Sequence, residues 1–160
     1  MEDQATKLQR LIDDLEIRRV MHEYAARVDL RDWDALRLVL ADDLVVEYHN
    51  GRTVVAGGDE VVDYIRTNTA HLAWQHHNIT PYAVVVEGDH ARGRSYLISH
   101  QVITEDPTHL LMMAATYDCE FARDGETWRL SRMVHQIKVA NFQPIGAQPP
   151  AVNVPPAVSH

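Results

Sequence analysis

The sequence has little cysteine, little basic charge and no long apolar run, and each shortage excludes a class of protein. Cys119 is the single cysteine, so neither a disulfide framework nor a thiolate metal site is expected. Asp and Glu outnumber Lys and Arg by 23 to 15, and the charge of −8 argues against a nucleic-acid partner. No apolar run approaches the roughly 20 residues of a transmembrane helix. Residues 1–3 lack the pattern of a signal peptide, so a reducing, cytoplasmic setting is expected.

What the chain does contain is the composition of one globular domain. It has 160 residues, of which 46% are hydrophobic, enough for a core of its own. Ten histidines are scattered along it, and none lies at the spacing of a common zinc motif. We therefore predict no metal site.

The stretch 24–29 closes a helix predicted over residues 3–29. Its apolar positions recur every three or four residues, which is the spacing of one buried face. Asp29 falls on the inward side of this helix, where apolar surroundings and the helix dipole both disfavour its charge. A nearby histidine would offset those costs. The alternative is that Asp29 lies in a solvated loop before the next helix. The predicted buried face consists of Ile17, Val20, Met21, Tyr24, Ala25 and Val28.

The first half of the same helix has a second apolar stripe, made of Leu8, Leu11, Ile12 and Leu15. This stripe is out of phase with the one that starts at Ile17. A bend or a change of register is therefore predicted at that point.

After two further short helices and a pair of strands, the pattern changes to long β segments separated by turn signals. Hairpins this close together are typical of an antiparallel meander. Helices followed by a meander predict an α+β fold with the helices packed on one face of the sheet. If the sheet curls strongly, sheet and helices enclose a cone-shaped cavity. The four long segments are 74–87, 91–104, 109–123 and 127–142.

The predicted domain spans residues 1–142, and residues 143–160 form a Pro-rich tail. Repeated proline excludes helix and sheet interior from this tail. It is expected to be a loose end or an arm on a neighbouring subunit.

Alternation along the strands indicates which polar side chains point inward. Tyr96, Ile98 and His100 share one face, which we interpret as the apolar, inward face. A histidine there is either functional or a core residue bonded to a backbone carbonyl, and the same choice applies to His135. In the first long strand, periodicity does not decide between His76 and His77, because a bulge near Pro81 could invert either half.

Five short segments carry a resemblance to a known family through their order and spacing. Together they resemble the SnoaL-like, nuclear-transport-factor-like cone-fold family over roughly residues 8–142. Among its members, the segments resemble those of scytalone dehydratase, bile-acid dehydratase and hexachlorocyclohexane dehydrochlorinase. The resemblance implies a cystatin-like α+β barrel in which N-terminal helices pack on a strongly curved antiparallel sheet. The segments are 28–36, 45–48, 75–76, 99–101 and 124–128.

Carried over position by position, the resemblance implies a catalytic Asp29 and a catalytic His76, with His76 favoured over His77 by its distance to the following turn. It also implies catalytic roles for Tyr24 and His100. The predicted substrate-binding residues are Tyr48, Trp74, Tyr96, Met112 and His135. The sequence departs from scytalone dehydratase at Val28, where that enzyme has tyrosine, and near residues 115–117.

An Asp–His pair in a dry cavity predicts acid–base chemistry that needs no cofactor. The leading hypothesis is a lyase that removes water from a cyclic, largely apolar hydroxy compound. The alternatives are an isomerase or polyketide or steroid cyclase with the same pocket, and a non-catalytic ligand-binding module.

The third long segment is apolar on both faces, which is more than one core needs. That favours a buried interface in a homo-oligomer, and by resemblance a trimer rather than a dimer. The alternative is a central strand covered by helix. One face carries Leu111, Met113, Ala115 and Tyr117, and the other carries Leu110, Met112, Ala114 and Thr116.

Overall fold

The computed structural model describes residues 3–146, which form three helices and six strands. The helices precede or interrupt the first strands, and the four long strands come last. The helices are α1 (Gln4–Leu30), α2 (Trp33–Leu38) and α3 (Gly58–Thr69). The strands are β1 (Leu40–Tyr48), β2 (Thr53–Ala56), β3 (Leu72–Glu87), β4 (His90–Ile103), β5 (Asp106–Asp124) and β6 (Thr127–Pro144).

The six strands form one curved, unclosed sheet in the order β2-β1-β6-β5-β4-β3. Strands β3 to β6 pair with their sequence neighbours, which confirms the predicted antiparallel meander. The sheet as a whole is mixed, because β1 lies parallel to β6. The predicted α+β cone fold is confirmed, while this parallel pair, which joins distant parts of the chain, was not predicted.

Helix α1 is continuous across Ile17, where the sequence predicted a bend or a change of register. The side chain of Asp3 caps its start by accepting a hydrogen bond from the backbone N–H of Thr6 at 2.9 Å. Arg31, with a φ of 56°, ends it in the left-handed conformation. The predicted face from Ile17 to Val28 is buried, and the earlier leucines are exposed on the outside.

The concave face of the sheet lies under the helices and carries small polar residues. In β4, Ser95, Leu97 and Ser99 are buried, whereas Tyr96 and Ile98 are exposed. The predicted inward face of this strand is therefore the outer one. The small serine side chains leave room for helix and cavity above them, while the larger residues of β4 lie on the uncovered side.

Strand β6 continues through Pro144, two residues beyond the predicted domain boundary, and Pro144 pairs with His109. Strand β1 pairs with β6 only up to Val134, so the proline lies where β6 has no second neighbour. The rest of the predicted Pro-rich tail, residues 147–160, lies outside the described residues. Among residues 3–146, no helix has the length and hydropathy needed to cross a membrane.

Candidate functional site

Asp29 lies in the last turn of α1 and is held against β3 by two hydrogen bonds from a single residue. The backbone N–H of His77 donates to one carboxylate oxygen at 2.7 Å, and the ring Nδ1 of His77 lies 2.5 Å from the other. Two residues before His77 and on the same inner face of β3, Gln75 donates a hydrogen bond from Nε2 to the backbone carbonyl of Val28 at 2.6 Å. The end of the helix is thus fixed to the strand, and the carboxylate and the imidazole are pre-oriented.

The predicted pairing of Asp29 with His76 is wrong, because His76 lies on the outer face of the sheet. Its ring is stacked between those of Trp74 and His100, with centroid distances of 6.0 and 6.1 Å. Pairing between β3 and β4 is regular from Trp74 to Tyr82, so the strand alternates without interruption and His77 points inward.

Four other predicted site residues are also on the outer face. Trp74 is 51% exposed, and Tyr96 and His100 share its side of the sheet. Met112 pairs directly with His100 and therefore projects from the same face, whereas its neighbour Met113 lines the inner cavity. The apolar pattern of β4, from which Tyr96 and His100 were placed inward, belongs to its outer face, and the strand register puts Trp74 and Met112 on that same side.

The inner face encloses a cavity of about 340 Å³ between the sheet, α1 and α3. Of the predicted residues, Tyr24, Tyr48 and His135 line it. The residues that sequence reasoning missed are His77, Ser99, Met113 and Tyr117. One signal could have found two of them. His77 shares its side of β3 with Gln75 and Ile79, and Ser99 shares its side of β4 with Leu97, and these are the sides that the helices cover.

Aromatic contacts order the polar groups of this cavity. The ring of His135 meets that of Tyr117 edge-on at 5.0 Å and that of Tyr48 at 6.2 Å. Tyr24 meets Tyr117 in the same manner at 6.2 Å, and Tyr64 stacks on Tyr48 at 4.7 Å. Such edge-on and stacked pairs fix ring positions, so their polar atoms point in defined directions.

Burial keeps these groups uncharged. It raises the pKa of Tyr24 to about 12, against the opposing influence of the nearby Tyr48 hydroxyl. Burial also raises the pKa of Tyr48 well above its ordinary value. It lowers the pKa of His135 to about 4, with smaller contributions from His49 and His77. At neutral pH these three side chains are therefore two protonated phenols and one neutral imidazole.

Several buried polar atoms of this site lack a hydrogen-bond partner among residues 3–146. A buried unpaired polar group costs roughly 1–3 kcal/mol, so a cluster of them marks a place where a ligand or water binds. These atoms are the Tyr48 hydroxyl, Gln75 Oε1, Ser99 Oγ and both ring nitrogens of His135. In the same part of the chain, no group of three or more His, Cys, Asp or Glu side chains is placed to hold a metal ion.

Comparison with known proteins gives the same architecture. The uncharacterized protein Rv2910c of Mycobacterium tuberculosis is 25% identical over 122 residues, which cover 76% of this chain and 83% of that protein. The hexachlorocyclohexane dehydrochlorinase LinA-type3 of Novosphingobium barchaimii is similar in structure, with 21% identity and a TM-score of 0.77. That match covers 90% of this chain and 99% of the other. A protein of Novosphingobium aromaticivorans named as a candidate scytalone dehydratase matches with 15% identity and a TM-score of 0.76, covering 91% and 97% of the two chains.

These structural similarities establish the fold, and a match to a protein-family model establishes which family the chain belongs to. The model of the SnoaL-like domain matches residues 9–134, which is most of the chain. The protein therefore belongs to the SnoaL-like domain family.

Proposed function

We propose that the protein is a cofactor-independent lyase that removes water from an uncharged cyclic hydroxy compound, with Asp29 and His77 as its acid–base pair. The observation that carries the proposal is the double contact of Asp29 with His77 beside a cavity of unpartnered polar atoms. Names of two similar structures, a dehydrochlorinase and a candidate scytalone dehydratase, also denote eliminations. They favour the same reaction class.

The geometry supports a defined division of labour in the pair. Asp29 accepts a hydrogen bond from Nδ1–H of His77, which leaves Nε2 with a free lone pair to act as a base. Nε2 removes a proton from a carbon next to a carbonyl, and the C–H electrons form the new double bond. The C–O bond to the leaving hydroxyl breaks, and the imidazolium returns its proton to that oxygen to release water. The negative charge of Asp29 stabilises the imidazolium between these steps.

Three uncharged side chains form hydrogen bonds to the carbonyl and hydroxyl oxygens of the substrate: those of Tyr24, Tyr48 and His135. Since burial keeps both phenols protonated, each can donate to a carbonyl on which negative charge develops. One such donor contributes on the order of 3 kcal/mol, and acid–base assistance by the pair contributes ~10²–10⁴-fold. His135, neutral at pH 7, offers one donor and one acceptor to the same ligand.

The cavity also limits the ligand. The described residues that line it include no Lys, Arg, Asp or Glu, so no permanently charged side chain there would pair with a charged ligand. A volume of about 340 Å³ is at the small end of ligand pockets, which run from roughly 300 to 1,000 Å³. A neutral compound of one or two rings with a hydroxyl and a carbonyl matches both properties.

The test is a screen of neutral cyclic hydroxy-ketones against the purified protein, read by mass spectrometry. We expect a product that has lost one molecule of water, formed without added cofactor. A product of unchanged mass would replace dehydration by isomerisation or cyclisation. If compounds with one and two rings bind but none yields a product, the proposal that the protein is an enzyme would be contradicted.

The outer face of the sheet supports a homo-oligomer, with a trimer favoured by the family resemblance. Trp74, Tyr82, Tyr96 and Ile98 are exposed there on neighbouring strands. An exposed cluster of large apolar side chains is typical of an interaction surface. Light scattering on the purified protein measures the subunit number directly.

A further inference from the structure

Helix α1 carries two apolar faces on opposite sides. At 100° per residue, Leu8, Leu11, Ile12 and Leu15 lie about half a turn away from Ile17, Tyr24 and Val28, which face the core. These four outward residues, the leucine stripe, are 58%, 63%, 39% and 66% exposed. A surface helix normally has one apolar face, so the stripe serves a contact that a single copy of residues 3–146 does not make.

The helical turns that carry the stripe extend beyond the core. Residues 4–12 are all exposed, which corresponds to about 13 Å of helix. Short helices are only marginally stable in water without packing. A contact along the stripe would therefore stabilise this segment as well as bury its apolar side chains.

We infer that the leucine stripe packs against the same stripe of a second copy, with the two helices antiparallel. The charge of this segment favours self-association. Although the whole chain carries −8, residues 3–19 balance four acidic against four basic side chains. They are Asp3, Asp13, Asp14 and Glu16, and Lys7, Arg10, Arg18 and Arg19. Two copies can approach here without the repulsion expected between strongly acidic surfaces.

Antiparallel packing also matches the order of charges along the stripe. With the two-fold axis between Leu11 and Ile12, Leu8 of one copy meets Leu15 of the other. Lys7 then lies beside Asp14 of the second copy, and the two-fold axis repeats this pair. A parallel arrangement would separate these two charges by about two helical turns.

The contact is small. Four aliphatic side chains from each copy form a patch of a few hundred Å², at the lower end of stable interfaces. The dimer should consequently dissociate on dilution. It is also separate from the outer face of the sheet, so both contacts can exist in one assembly.

The first experiment compares masses by light scattering at matched concentrations. The doubly charged variant Leu11→Glu with Leu15→Glu should have half the mass of the wild type. Leu38→Glu is the matched control, because Leu38 is 68% exposed on α2, outside the stripe. Its mass should not change. Equal masses for the wild type and the stripe variant, with unchanged circular dichroism, would overturn the proposal.

The second experiment tests orientation by disulfide crosslinking. Cys119 is buried and burial raises the pKa of its thiol, so it does not compete. Leu11→Cys should crosslink with itself, since it lies next to the two-fold axis. Leu8→Cys should not crosslink with itself but should do so when mixed with Leu15→Cys. Efficient self-linking of Leu8→Cys would show parallel helices, and no linking in any variant would show that something else covers the stripe. Both results would contradict the antiparallel dimer.

Discussion

The carboxylate of Asp29 binds His77 twice, once through the imidazole Nδ1 and once through the backbone N–H. The two contacts come from different parts of one residue: the backbone contact holds the carboxylate against β3, and the ring contact orients the imidazole toward it. The pair is therefore pre-organised, which is what acid–base catalysis requires.

Replacing each of the two neighbouring histidines with alanine, one at a time, compares a side chain on the inner face of β3 with one on its outer face. His77→Ala removes the base and should lower kcat by at least ~10²-fold. His76→Ala is the matched control one residue away, where the side chain contacts Trp74 and His100 on the outside. Its kcat should remain at the wild-type value. The measurement is turnover of the compound found in the screen, and equal losses in both variants would rule out the assignment.

Asp29→Asn is expected to impair chemistry more than stability. The amide oxygen still accepts the backbone N–H of His77, but the amide NH₂ now faces Nδ1 and drives the ring to the tautomer with Nε2 protonated. The base is lost, and kcat should fall ~10²–10⁴-fold. Thermal melting should change little. A variant with normal turnover, or one that fails to fold, would show that the carboxylate does not serve this purpose.

His135 makes stability depend on pH. In the unfolded chain its imidazole binds a proton below about pH 6.5, but in the folded chain only near pH 4. Unfolding therefore takes up a proton between these values, and the free energy of unfolding should fall by about 3 kcal/mol as pH drops from 6.5 to 4. His135→Gln should remove this slope in urea titrations, while His90→Gln, at an exposed position, should keep it. An unchanged slope in His135→Gln would be inconsistent with burial of a neutral ring.

Asp13 should matter for folding and not for chemistry. Its buried carboxylate accepts hydrogen bonds from Arg123 at 2.7 Å and from Trp128 at 3.1 Å. Asp13→Ala removes the buried partner of a largely buried guanidinium, whose remaining ion pair is with the exposed Asp89 at 3.2 Å, and should cost roughly 3 kcal/mol. Asp63→Ala is the control, since Asp63 forms an exposed pair with Arg66 on α3 and should cost less than about 1 kcal/mol. Denaturant titrations of both variants measure the difference.

Much of the fold could be predicted from the chain because its signals are local. The caps, the 3.6-residue period around Tyr24 and the turns at 88–89 and 124–125 each act on neighbouring residues. The position of Asp29 at the end of a buried helix face could be predicted for the same reason, since it depends on the helix alone, whereas its catalytic role was implied by the family resemblance and is a proposal.

Tertiary packing decided which faces are inside. Because side chains alternate along a strand, His76 and His77 must point in opposite directions, but the alternation does not determine which of them contacts α1. In β4 the larger apolar residues lie on the outer face and small serines on the inner face, so the choice of Tyr96 and His100 by hydrophobicity was wrong. Both faces of β5 carry large apolar residues, so hydrophobicity could not place Met112. The Asp29 carboxylate lies over one side of β3, and His77 is the histidine on that side. An interior charge requires a partner within hydrogen-bonding distance, and His77 provides it.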